Sequence, residues 1–144
     1  MLVQQILKAK GDTGVVTVKP GTLVSDAARI LAERRIGGVI VTRDGETVEG
    51  ILSERDIVRS LAVRGATCLD EKVDDMMTRN PVCCARQDTS DAVLARMTDG
   101  RFRHMPVVED GKLVGIVTIG DVVKARLQEL AMEKDALQGM IMGH

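Results

Sequence analysis

The sequence predicts an α+β protein built from two copies of one β-α-β-β-α unit, packed about a pseudo-twofold axis as small three-stranded sheets with helices. Three observations predict it. A long motif occurs twice, with Gly50 answered by Gly115. Each copy carries an Asp-Gly pair between two β-branched runs, the strongest short-range hairpin signal a sequence offers. The 144 residues suffice for one compact domain or two small subdomains with a shared core, but not for an enzyme with separate cofactor and substrate domains.

The repeat is legible residue by residue. Val39-Ile40-Val41-Thr42-Arg43-Asp44-Gly45-Glu46, then Val48-Glu49-Gly50-Ile51-Leu52-Ser53-Glu54-Arg55-Asp56-Ile57, is answered by Met105-Pro106-Val107-Val108-Glu109-Asp110-Gly111-Lys112, then Leu113-Val114-Gly115-Ile116-Val117-Thr118-Ile119-Gly120-Asp121-Val122. Before each copy, Val3-Gln4-Gln5-Ile6-Leu7 and Val73-Asp74-Asp75-Met76-Met77 read as one-turn helices, followed by lead-in strands at Val15-Val16-Thr17-Val18 and Val82-Cys83-Cys84. Apolar residues at helical spacing (Val24, Ala27, Leu31; Val93, Met97) give one helix per copy, with Ser25 and Ser90 as expected N-caps.

After each hairpin, Ser53 and Thr118 open a second amphipathic helix; in the first copy Ile57, Val58 and Leu61 share a face and Gly65 is the stop. Residues 65–72 form a connector too short for independent motion of the halves. A hairpin with one or two helices buries too little apolar surface alone, so the copies must pack on each other. The expected boundaries are 1–65 for the first repeat with its lead-in helix, 66–124 for the second, and 125–144 for a helical extension. That extension aligns Leu127, Leu130, Leu137 and Ile141 near one face, suited to a dimer partner or to a different protein.

Composition narrows the function. With 20 basic and 21 acidic residues the formal net charge is −1, so no bulk field steers the chain toward nucleic acid or an anionic membrane, and anions must be bound by local geometry. No run approaches the ~18 uncharged residues of a membrane span, and Met1-Leu2-Val3-Gln4-Gln5 has no signal-peptide pattern; the expected compartment is the cytoplasm. Cys68 stands alone and Cys83-Cys84 are adjacent, which fits small buried hydrophobes in a reducing compartment better than a disulfide or metal framework. Phe102 is the sole Phe, Tyr or Trp, so binding by stacking bases on an aromatic platform is excluded, and a purine ring, if one is held, must lie between aliphatic side chains and backbone.

The chemistry concentrates at Ser53-Glu54-Arg55-Asp56 and Thr118-Ile119-Gly120-Asp121. A carboxylate accepts hydrogen bonds from both hydroxyls of a ribose, a hydroxyl three residues earlier bonds a sugar or phosphate oxygen, and a helix N-terminus favours an anion. The same pattern is also a capping box, which needs no ligand. Its recurrence at equivalent places favours the binding role for Asp56 and Asp121. Arg55, Arg59 and Lys124 follow these carboxylates on their helices, as phosphate contacts or as solvated-face residues.

At this point the chain resembles the cystathionine-β-synthase (CBS) domain pair, or Bateman module, through the two copies ending in Gly-hydrophobic-hydrophobic-Ser/Thr-x-x-Asp and through Arg103-His104-Met105-Pro106-Val107-Val108. The resemblance covers roughly Val15 to Lys124. It implies a non-catalytic, homodimeric regulatory module that binds adenosine ligands, AMP first, with ADP, ATP, NAD or S-adenosylmethionine as alternatives, and is read out by an unknown regulated protein. It also implies that Gly37, Gly38 and Val39 in the first copy, and Arg103, His104, Met105 and Pro106 in the second, line the clefts between the halves, with Lys19 a further ligand contact. The proline of the second copy has no counterpart in Gly37-Gly38-Val39-Ile40, so the two clefts are expected to differ. Two other readings stand beside this one: a dimerisation scaffold with no ligand, and a small hydrolase pairing Cys83 or Cys84 with His104, which lacks an orienting third group.

Overall fold

The computed structural model describes residues 1–11 and 14–142. In the first half, β1 (Thr17–Val18) runs parallel to β2 (Gly38–Val41), so α2 (Val24–Arg34) is the crossover that parallel pairing demands. β2 pairs antiparallel with β3 (Gly50–Ser53), Gly38 facing Ser53, and α3 (Glu54–Arg64) follows directly. The connector forms a 3-10 helix over Gly65–Asp70 that buries Cys68. Then come α4 (Val73–Met76) and β4 (Thr78–Arg79), and β4 returns to the first sheet beside β3. The second half has α5 (Ser90–Gly100), β5 (His104–Glu109), β6 (Lys112–Thr118) and α6 (Ile119–Ile141). Where three strands per sheet are expected, the first sheet therefore has four; the second has two, its lead-in strand reduced to a parallel bridge from Cys84 to Val107.

The two Asp-Gly signals end differently. Asp110 and Gly111 both have positive φ (52° and 77°), the I′ pattern that joins Glu109 to Lys112 in a two-residue turn. Around Asp44-Gly45 the strands stop earlier, at Val41 and Gly50. Residues 42–49 form a longer loop, held by Asp44 Oδ1 accepting the N–H groups of Glu46 (2.9 Å) and Thr47 (2.7 Å).

The first lead-in helix, α1 (Val3–Lys10), has two turns rather than one, and α4 has the expected single turn. Each packs on the half that its neighbours in sequence do not form. Val3 and Ile6 of α1 sit in the second core with Val93, Met97, Met105, Val107, Val117 and Val122. Val73 of α4 sits in the first core with Val24, Leu31, Val39, Val41, Leu52 and Ile57. The helix grouped by sequence with residues 1–65 is thus packed into the second repeat. The docking bonds repeat across the halves: Val3 N–H to Asp88 O (2.9 Å) and Ser90 N–H to Met1 O (2.8 Å) are matched by Val73 N–H to Thr22 O and Val24 N–H to Glu71 O, both 2.8 Å.

These bonds also move the helix caps. The residues pinned in extended form by bridges to the lead-in segments are Leu23 and Thr89, so they, and not Ser25 and Ser90, are the N-caps. Thr89 Oγ1 accepts the Ala92 N–H at 3.1 Å, Leu23 offers no side-chain cap, and Ser90 is buried, donating to Glu129 Oε1 at 2.9 Å. Beyond Ala125 the extension of α6 leaves Leu127, Leu130, Leu137 and Ile141 exposed; its last two positions, Gly143 and His144, lie outside the described residues. Among the described residues no helix is long and apolar enough to cross a membrane.

Candidate functional site

Both Ser/Thr-x-x-Asp motifs begin a helix, and both are capping boxes. Ser53 Oγ accepts the Asp56 N–H (3.3 Å) while Asp56 Oδ2 accepts from the Ser53 N–H and hydroxyl, each at 2.9 Å. Thr118 Oγ1 accepts the Asp121 N–H (3.1 Å), and Asp121 Oδ2 accepts the Thr118 N–H (2.9 Å). The first helical N–H of each, from Glu54 and Ile119, is spent on the carbonyls of Gly37 and Arg103. Capping therefore consumes one oxygen of each carboxylate and two of the first three N–H groups, and leaves Oδ1 of both Asp56 and Asp121 with no hydrogen-bond partner among the described residues. Capping and ligand binding are compatible because they use different atoms.

Beside Asp56 lies a hollow of about 330 Å³. One wall is the start of α3, with Ser53, Arg55, Asp56 and Arg59; the other is the turn from α5 into β5, with Arg101, Phe102, Arg103 and His104; Asn80, Pro81 and Val82 complete it. Among the described residues none of the four arginines is paired with a carboxylate, although ten other ion pairs occur. This first cleft joins the Ser53, Arg55, Asp56, Arg103 and His104 expected from the sequence. Phe102 lines it too, so an aromatic face is present where composition argued for aliphatic walls alone: a count of aromatics does not say where the single ring sits.

The pseudo-equivalent cleft lies between the start of α6 and the α2 to β2 turn. Arg34, Arg35, Ile36, Gly37, Gly38, His104 and Thr118 line a hollow of about 460 Å³. Asp121 and Lys124 line a separate one of about 100 Å³. Asp121 Oδ2 is ion-paired with Lys10 Nζ at 2.7 Å. Burial alone would raise the Asp121 pKa, but the Lys10 and Thr118 hydrogen bonds together with the Lys10 charge hold it below the usual carboxylate range.

His104 lines both clefts, and its ring lies over Gly37 and Gly38, where a Cβ would come within 3.1 and 3.2 Å of it. The bare backbone read as room for a ligand is approached by the protein's own imidazole. Burial pushes the His104 pKa down, with Lys10 and Arg103 acting the same way and Glu54 and Asp121 opposing. Burial thus disfavours the charged imidazolium that would neutralise a phosphate. Val39, Met105 and Pro106 are buried core residues whose side chains face neither cleft, and Lys19, exposed at the turn after β1, lines neither.

Sequence reasoning missed Lys10, Arg34, Arg35 and Arg101. Arg35 and Arg101 occupy equivalent positions past the ends of α2 and α5 in the left-handed region (φ 55° and 57°), a place usually held by glycine. Aligning the repeats through Gly38 and His104 would have singled them out. For the hydrolase reading, burial raises the Cys83 thiol and pushes the Cys84 thiol up to about 12, so nothing holds a thiolate at neutral pH. No cluster of metal-ligating side chains occurs among the described residues.

The sequence matches the CBS domain family over residues 11–63 and again over 73–128. The chain belongs to the CBS domain family. The CBS domain-containing protein CBSX3, mitochondrial, of Arabidopsis thaliana is 32% identical over 98% of this chain and 72% of its own length. Further curated relatives match over less than a quarter of their own length. Among solved structures, the CBS-domain containing protein ATU1752 from Agrobacterium tumefaciens is 46% identical, covering 88% of this chain and 99% of that one with a TM-score of 0.83. The CBS domain protein PAE2072 from Pyrobaculum aerophilum, complexed with AMP, is 26% identical, with coverage of 92% and 99% and a TM-score of 0.77. Such CBS pair proteins support a nucleotide-binding regulatory module.

Proposed function

We propose that this CBS pair is a non-catalytic sensor that binds an adenine nucleotide, AMP foremost, in the first cleft. Asp56 carries the reading: its Oδ2 is committed to the helix cap and its Oδ1 is left for a ribose diol. Arg55, Arg59, Arg101 and Arg103 supply guanidinium donors for phosphate, and Ile51, Val82 and Phe102 offer apolar surface to a purine. The AMP held by the Pyrobaculum relative supports the ligand class. Regulation then requires that the nucleotide bind two arrangements of the molecule unequally. The arrangement that changes is the packing of two protomers through the exposed apolar face of α6, in the cytoplasm, with a separate regulated protein reading it out.

Titration calorimetry with AMP, ATP, NAD and S-adenosylmethionine tests this reading. Asp56→Asn keeps an acceptor for the cap and removes the charge facing the sugar; the expected result is AMP binding weakened by about tenfold or more, in line with the loss of a charged hydrogen bond. Unchanged affinity in that variant, or a wild-type protein whose melting temperature ignores every nucleotide, sinks the proposal and leaves a scaffold.

A further inference from the structure

We propose that Lys10 is an internal plug that divides the second cleft, so that each chain offers one complete nucleotide site, the first. The proposal rests on the nucleotide-binding reading above and names which cleft performs it. In the first cleft the sugar-binding carboxylate and the facing turn border one continuous hollow. In the second, the corresponding groups are split between two hollows, Asp121 in one and Gly37, Gly38 and His104 in the other, and Lys10 borders both. A nucleotide needs both parts at once, because its ribose and base are covalently joined.

The plug is held from three directions. Lys10 Nζ donates to Asp121 Oδ2 at 2.7 Å and to the Ile116 carbonyl at 2.9 Å. Its stem leaves the end of α1, and Leu7, one turn earlier on that helix, lies so close over Gly115 that a Cβ there would meet the Leu7 Cδ2 at 2.7 Å. Among the described residues Asp56 is in no ion pair: the position that matches Lys10 is held by the uncharged Asn80, and the Arg79 guanidinium beside it donates to Asp74 O at 3.1 Å. A diol approaching Asp121 therefore meets a carboxylate whose charge an ammonium already neutralises at Oδ2, whereas Asp56 is in no such pair among the described residues.

Native mass spectrometry and calorimetry with AMP test the inference by counting sites. The wild-type chain binds one AMP, Lys10→Ala binds two, and Lys10→Ala with Asp121→Asn returns to one. Lys10→Met, which keeps the apolar stem, checks that the count follows the ammonium's removal without loss of fold, read from an unchanged melting profile. Two AMP per wild-type chain, or a folded Lys10→Ala and Lys10→Met that still bind one, overturns the plug while leaving the first-cleft reading intact. A wild-type chain that binds none, beside a Lys10→Ala that binds one AMP lost on Asp121→Asn, upholds the plug and overturns the first-cleft reading. Absence of binding in every variant overturns both.

Discussion

His104 shows how one side chain sets the character of two neighbouring clefts. Its ring fills the space over Gly37 and Gly38 and borders both clefts, and burial disfavours its charged form. Because the folded-state pKa lies below the ordinary 6.5, the unfolded chain takes up the proton first as the pH falls. Stability then drops through the window between 6.5 and the lowered folded value, and levels off once both states are protonated. Urea midpoints measured from about pH 7.5 to about pH 5.5 should show this component in the wild type and lose it in His104→Gln. Glu54, Asp121, Lys10 and Arg103 all face the ring, so the difference between the two proteins, not the wild-type slope alone, is the measurement. At this scale the sequence disclosed the carboxylates and hydroxyls, because a capping box is local. It did not disclose Lys10, whose contact at Ile116 lies 106 positions away, nor that an imidazole would occupy the ground vacated by two glycines.

At the scale of elements, the glycine that opens each Gly-hydrophobic-hydrophobic-Ser/Thr motif has a packing reason. Gly115 receives Leu7 of α1, and Gly50 receives Met77 after α4, whose Sδ would lie 2.3 Å from an added Cβ. Gly115→Ala should cost about 1–3 kcal/mol by overpacking, and Leu7→Ala in the same chain should recover much of it. Chemical denaturation of the two single variants and the double variant measures the coupling; an additive result would show that α1 does not rest on that spot. Hairpins, helix order and the doubled motif were legible in the sequence, since period and turn chemistry are local properties. The caps at Thr89 and Leu23 were not, because bridges from α1 and α4 decide where α5 and α2 start. The same holds for the fourth strand of the first sheet, which arrives from residues that sequence order assigns to the other repeat.

For the whole molecule, the unpartnered face of α6 is the feature on which regulation through assembly depends. Leu127 and Leu137 are 62% and 60% exposed in the single chain, and Leu130 and Ile141 beside them are exposed as well. Leu127→Glu combined with Leu130→Glu should yield a monomer by light scattering after size exclusion, with far-UV circular dichroism unchanged; a wild-type monomer would remove assembly from the proposal. The exchange of α1 and α4 between the halves bears on how such a chain comes into being. Residues 3–10 leave the ribosome well before Ile116 and Asp121, to which Lys10 is tied, have been translated. The first core draws only on residues up to Met77 and can close as soon as α4 has been made, whereas α1 must wait undocked until β6 and the start of α6 have emerged, so the two cores form in order and only the second depends on a helix made long before it.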